Sequence, residues 1–274
     1  MSKSNEPDST PSRDWLRTSI GHSTPETITV RGRDLATEIM GEMSFTDLAF
    51  LLAARREPTQ AESTLFNAVL VSLADHGLTP TALAARLTYT GAPESLQGAI
   101  AAGLLGGGSV FLGPVEDTAR FLGQVLENLA EDARSDDALE SAAAEAVQAA
   151  LDESRRIPGL GHPVHRETDP RTPRFYELAN DVGLLGPNLR LLQFVATAQA
   201  KTTGRALPIN GAGAAGAVLG DLGFPPSLAR GFALLARTAG LIGHLAEEAE
   251  NPIGMRLYQE VDARALRNVD PEAP

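Results

Sequence analysis

The stretch Ile157-Pro158-Gly159-Leu160-Gly161-His162-Pro163-Val164-His165-Arg166-Glu167-Thr168-Asp169-Pro170-Arg171 decides how the rest of this 274-residue chain is read. It sets a histidine directly after a Pro-Gly-x-Gly turn and follows it with arginines and an Asp-Pro-Arg turn. Glycines let backbone amides approach a ligand, a histidine moves protons near neutral pH, and guanidinium groups grip carboxylates and phosphates. Together they point to an enzyme acting on an anionic substrate.

On both sides of this stretch the apolar residues recur at three- and four-residue steps. That spacing predicts helices over Leu35–Arg56, Glu62–His76, Pro80–Leu87, Leu96–Leu105, Val115–Leu129 and Leu139–Leu151. It predicts more over Arg174–Val182, Asn188–Thr202, Ala214–Leu222 and Pro226–Glu250. Thr79-Pro80, Thr172-Pro173, Pro187-Asn188 and Pro225-Pro226 are helix entries, and Gly77, Gly183 and Gly223 are stops. Only Ile28-Thr29-Val30 reads as a strand. The expected fold class is all-α, with a polar, disordered arm at 1–13 and a flexible tail at 263–274.

Composition narrows the function. The net charge is −12, which argues against nucleic-acid and membrane-surface partners, since both require a basic face. Any anionic ligand must be met by a local arginine cluster. The absence of cysteine excludes disulfides, zinc–thiolate sites and cysteine nucleophiles. No apolar run reaches membrane-spanning length and Met1 to Arg13 is polar, so a cytoplasmic protein is expected.

Several motifs have plain structural readings. Gly211-Ala212-Gly213-Ala214-Ala215-Gly216 matches the dinucleotide G-x-G-x-x-G pattern, but no strand precedes it and no acidic residue stands at Ala236. It reads as the small-residue start of a closely packed helix. Gly103-Leu104-Leu105-Gly106-Gly107-Gly108 lacks the Gly-Lys-Ser/Thr of a phosphate loop and reads as a helix end followed by a flexible loop. His162 and His165 have the spacing of a metal pair, yet Pro163 disfavours a helix presenting both, and no metal is expected. His76 can be a helix-end cap and His244 a core histidine. Glu247, Glu248 and Glu250 read as a solvated helix end.

These residues resemble the citrate synthase superfamily, and within it the short citryl-CoA lyase-like branch. Pro158-Gly159-Leu160-Gly161-His162 through Asp169-Pro170-Arg171 is similar to the family's most specific motif. Val30-Arg31-Gly32-Arg33-Asp34-Leu35, Ser44 to Leu52, Ala74-Asp75-His76-Gly77, Leu207-Pro208-Ile209-Asn210 and Gly240-Leu241-Ile242-Gly243-His244 support it by order and spacing. The resemblance runs from about Trp15 to Leu257. It implies a citrate-synthase-like homodimer with a large helical domain (14–112 and 213–262) and a small one (113–212) around a cleft. It implies reversible carbon–carbon chemistry between acetyl-CoA plus oxaloacetate and citryl-CoA or citrate. His162 would touch the keto or hydroxyl oxygen and pass a proton there. His76, Arg166, Arg171, His244 and Asn210 would bind the di- or tricarboxylate. Gly159, Leu160, Gly161 and Arg205 would bind coenzyme A, which enters as part of the substrate rather than as a fixed cofactor.

Two positions depart from the family pattern. Phe111 stands where a second catalytic histidine steadies the thioester enolate, and Ala212 replaces the aspartate that moves the proton at the acetyl carbon. General acid–base help is worth about 10²- to 10⁴-fold and an oxyanion donor about 10²- to 10³-fold. Proton removal from carbon is thus the least equipped step, and cleavage is expected over condensation. Glu116, Asp117 and His244 are possible substitutes for the missing groups. The alternatives are a CoA-thioester-binding paralogue without turnover, and a condensing enzyme for another 2-oxo acid.

Overall fold

The computed structural model describes residues 17–267, which form two compact units divided at Thr59 and Gln60. The arm at 1–13 lies outside the described residues.

The first unit carries a small antiparallel sheet in the order β1 (Gly21–Ser23), β2 (Ile28–Val30), β3 (Arg33–Asp34). His22 pairs with Thr29, and Val30 pairs with Arg33. The sequence showed only β2, because strands of two and three residues have no room for an alternating pattern. Arg31 and Gly32 both have positive φ and close the second hairpin, as a two-residue turn of this hand requires. The single helix expected over Leu35–Arg56 is broken in two. Asp34 caps a π-helical turn, Leu35–Ile39. Ser44 then accepts from the Asp47 amide at 3.1 Å and starts α1 (Phe45–Ala54).

The second unit is helical: α2 (Gln60–Ala74), α3 (Pro80–Gly91), α4 (Leu96–Leu105), the short α5 (Gly108–Phe111), α6 (Pro114–Glu127), α7 (Asp136–Asp152), α8 (Arg171–Asp181), α9 (Pro187–Thr203), α10 (Gly211–Asp221), α11 (Pro226–Glu250) and α12 (Gly254–Arg267). The stretch at 103–108 ends α4, as expected, but a two-residue turn at Gly106-Gly107 leads straight into α5 where a flexible loop was expected. α12 continues to Arg267, across residues whose polarity suggested a tail. No described helix is long and apolar enough to cross a membrane.

α10 is the hub. It packs on α6, α9, α2, α8 and α11, and Ala214, Ala215, Ala217, Val218 and Leu219 are fully buried. Its glycines permit this approach. A Cβ on Gly216 would lie 2.4 Å from the Val115 carbonyl oxygen, and one on Gly213 would lie 2.5 Å from the Gly159 Cα. The G-x-G-x-x-G string is a packing device. Beside it Phe66, Phe224 and Phe232 form an aromatic knot, with Phe66 and Phe232 edge-on at 4.8 Å.

One surface expectation is overturned. Glu248 is buried, and with Glu247 it pairs with the fully buried Arg86 of α3. Glu248 also accepts the Ile253 and Gly254 amides at 2.9 and 2.7 Å, which sets the start of α12. A buried guanidinium demands such a partner, and no local pattern in the sequence reveals it.

Candidate active site

The loop between α7 and α8 carries the Pro-Gly-x-Gly-His motif and is fixed by the segment leading into α10. Gly161 N–H donates to the Pro208 carbonyl at 2.7 Å, and Asn210 N–H donates to the Gly159 carbonyl at 2.9 Å. Leu160 and Ile209 form an antiparallel bridge. Gly159 and Gly161 hold φ of 84° and 80°, where a side chain would be strained. Asn210 spends both ends of its amide on this frame. Its Nδ2 donates to the Gly161 carbonyl at 2.8 Å, and its Oδ1 caps α10 through the Gly213 amide. The structure thus gives Asn210 a scaffolding part.

His162 leaves this frame with a defined protonation. The amides of Val164 and His165 donate to its Nδ1 at 3.1 and 3.0 Å. Nδ1 is therefore the acceptor, and in the neutral ring the proton sits on Nε2. Burial, then the neighbouring His165, holds the His162 pKa below its usual value, so the ring is neutral at physiological pH. It presents an N–H to whatever oxygen it meets.

Two more imidazoles join it. The rings of His76 and His162 lie 5.4 Å apart, those of His162 and His165 4.4 Å, and those of His76 and His165 6.0 Å. One nitrogen from each lies within 4.8 Å of the others, a grouping with metal-ligand character. The amide lock on His162 works against a metal there, because its free nitrogen already bears a proton.

Cations complete the cluster. The buried Asp169 accepts from Arg171 at Nε (3.0 Å), Nη2 (2.7 Å) and the backbone amide (3.1 Å), and from the Gly211 amide at 2.7 Å. Burial opposes its charge, but Arg171 and these amides outweigh burial and hold the carboxyl well below the usual range. Arg171 Nη1 reaches the Ser72 carbonyl of α2 at 3.3 Å, which brings the guanidinium to the end of the helix preceding His76. From α11 comes Arg237, buried, with Nε and Nη1 lacking any hydrogen-bond partner. Asp75 Oδ1 stands 4.0 Å from Nη1, and the charge of Arg171 is felt there. Asp75 instead binds His244 Nε2 at 2.9 Å and the Gly77 amide at 2.8 Å, which orients the His76 turn. Buried polar groups are almost always paired, so these two donors are open to a further acceptor.

The sequence singled out His162, His76, Arg171 and His244, and the structure brings them near one another and near Gly159, Leu160, Gly161 and Asn210. Arg166 is exposed on the loop, and Arg205 is exposed in the turn after α9. In the sequence Arg237 does not stand out, His165 reads only as half of a metal pair, and Asp169 reads only as part of the Asp-Pro-Arg turn. Arg237 looks like any helical arginine until its burial is known. A cavity of about 580 Å³ opens beside His162, lined by Arg155, Arg156, Ile157, Leu160, Gly161 and Leu207 among others. Ala212 is half-buried at the start of α10, next to Gly211, which abuts the Arg171 guanidinium. Phe111 is half exposed at the end of α5. Glu116 is ion-paired with Arg120 and Arg230.

Fold and site define an all-α protein in which a glycine-framed loop brings imidazole and guanidinium groups together. The chain belongs to the citrate synthase family: the model of the citrate synthase C-terminal domain matches residues 44–258. Among solved structures it is similar to citryl-CoA lyase from Hydrogenobacter thermophilus, at 30% identity over 96% of each chain, with a TM-score of 0.81. It shares its fold with ATP citrate lyase from Methanothrix soehngenii, solved with citrate and coenzyme A, at 22% identity and TM-score 0.70 over 88% of this chain and 39% of that one. It also shares it with citrate synthase from Thermoplasma acidophilum, solved with carboxymethyl coenzyme A and oxaloacetate, at 19% identity and TM-score 0.61 over 76% of this chain and 54% of that one. Comparison with curated proteins gives no match.

Proposed function

We propose that this protein cleaves a citryl-CoA-type thioester, a 3-hydroxy-3-carboxyacyl-CoA, to acetyl-CoA and a 2-oxo acid such as oxaloacetate. One observation carries the reading: Arg237, with two buried donors lacking hydrogen-bond partners, and the Asp169-bound Arg171 stand beside a cluster of three imidazoles, of which His162 also lines a cavity bordered by two further arginines. Arg171 and Arg237 receive carboxylates, with His76 beside them. His162 donates its Nε2 proton in a hydrogen bond to the hydroxyl oxygen and then to the carbonyl that replaces it. The negative charge that gathers there in the transition state strengthens the contact, which lowers the barrier. The CoA chain lies along Ile157, Leu160 and Leu207, its phosphates toward Arg155 and Arg156. The thioester enolate takes its proton from water, since neither Ala212 nor Phe111 offers one. A cytoplasmic homodimer is part of the same reading.

The test is a mass-spectrometric assay of purified protein against citryl-CoA, citramalyl-CoA and their shorter and longer homologues. Release of acetyl-CoA with a 2-oxo acid supports the lyase. A second reading rests on Ala212 and Phe111, which remove the family's carbon-acid machinery: a binder of CoA thioesters without turnover. It predicts thermal stabilisation by CoA esters with every thioester left intact. A condensing enzyme for another 2-oxo acid would instead consume acetyl-CoA in the reverse assay.

A further inference from the structure

Cleavage needs a base for the tertiary hydroxyl, and His162 is not arranged to be one. Its Nδ1 already accepts two amide protons, and its Nε2 carries the ring's own proton. In that state it can donate to a substrate oxygen but has no free lone pair facing it. His165 differs. Its ring lies 4.4 Å from that of His162, with planes 29° apart. Among the described residues, neither of its ring nitrogens is hydrogen-bonded. One nitrogen of each ring lies within 4.8 Å of the other. An oxygen about 2.9 Å from two nitrogens bridges up to about 5.8 Å between them, so the separation of the two rings is within the reach of a single hydroxyl.

We propose that His165 is the general base of the cleavage step, taking the hydroxyl proton while His162 holds the same oxygen through Nε2–H. The inference rests on the lyase reading above. The electron pair of the O–H bond forms the carbonyl, and the bond to the thioester methylene breaks. That bond's electron pair becomes the acetyl-CoA enolate, which takes a proton from water. The hydroxide so formed is neutralised by the proton His165 releases. His76 is the weaker candidate, being exposed, farther from His162 and beside the carboxylate-binding arginines. The charged and titratable groups around this pair are His76 from the turn after α2, Asp169 from the same loop and Arg171 from α8, with Arg237 of α11 next to Arg171.

The experiment measures citryl-CoA turnover from acid to alkaline pH for the wild type, His165→Gln and His165→Asn. Both variants keep the backbone N–H that locks His162. We expect kcat to fall about 10²- to 10⁴-fold, KM to stay nearly constant, the acid-side fall in rate to vanish, and added imidazole to restore part of the rate. Variants that keep the wild-type kcat and acid limb overturn the role of His165 and leave the lyase reading standing. So does a loss with the acid limb retained that imidazole cannot restore, since it marks damage to packing. A wild-type protein that leaves both citryl-CoA and citramalyl-CoA intact overturns the lyase reading itself, and the base with it.

Discussion

His162 owes its protonation to two backbone amides rather than to a carboxylate partner. A donor fixed this way needs no reorganisation as charge develops on the substrate oxygen, which is where preorganised donors contribute most. Replacing it with alanine should lower citryl-CoA cleavage about 10²- to 10⁴-fold. Circular dichroism should show an unchanged fold, because the ring is only half-buried. Arg237 pulls the other way. A buried guanidinium with two donors left without hydrogen bonds is costly in the free protein. Arg237→Met should therefore raise the melting temperature while raising KM for a citryl thioester at least about tenfold, a trade of function for stability. The motif residues were legible because they lie together in one unbroken stretch. Arg237 was not, because burial comes from the fold and leaves no local signature in a helix.

Among the helices, close approach is set by a few small residues. In α10, Gly216 faces the Val115 carbonyl, so Gly216→Ala should destabilise by about 1–3 kcal/mol through overpacking. Gly231 in α11 has nothing within 4 Å of its would-be Cβ. There the same change should stabilise by up to about 1 kcal/mol through helix propensity. Urea melts of the two variants check the opposite signs. Glu248 ties α11 to Arg86 of α3 and to the first turn of α12. Glu248→Ala should cost about 3–5 kcal/mol, because Arg86 is left buried with only the exposed Glu247. Helix periodicity made most of these elements readable, since each long helix shows one face to the core. The hairpins were too short to alternate. The break at Met40–Ser44 is set by caps that a purely apolar count overlooks.

At the scale of the molecule, a chain of net charge −12 brings Arg171, Arg237 and three histidines together around a loop that Asp169 ties down. That carboxylate joins the loop, α8 and the start of α10, and through Arg171 it reaches α2. Its folded-state pKa is depressed below the ordinary 3.8. The stabilisation is therefore fully present above that value and is lost as pH falls through the folded one. Asp169→Asn should cost about 3–5 kcal/mol at neutral pH, and its stability should fall less steeply than that of the wild type on acidification below about pH 4. Denaturant melts across that range measure both effects. The family and its loop were readable before the fold. The convergence of α2, α8 and α11 on that loop was not, because it depends on contacts between distant segments.

In the proposed complex the oxygen of a keto or hydroxy acid sits on His162 with its carboxylates on Arg171 and Arg237. A crystal structure with oxaloacetate and coenzyme A bound would decide this. The keto oxygen should lie within hydrogen-bond distance of His162 Nε2, about 2.7–3.2 Å, with a carboxylate on each guanidinium. A ligand bound elsewhere, or one that leaves the Arg237 guanidinium unpartnered, would contradict it.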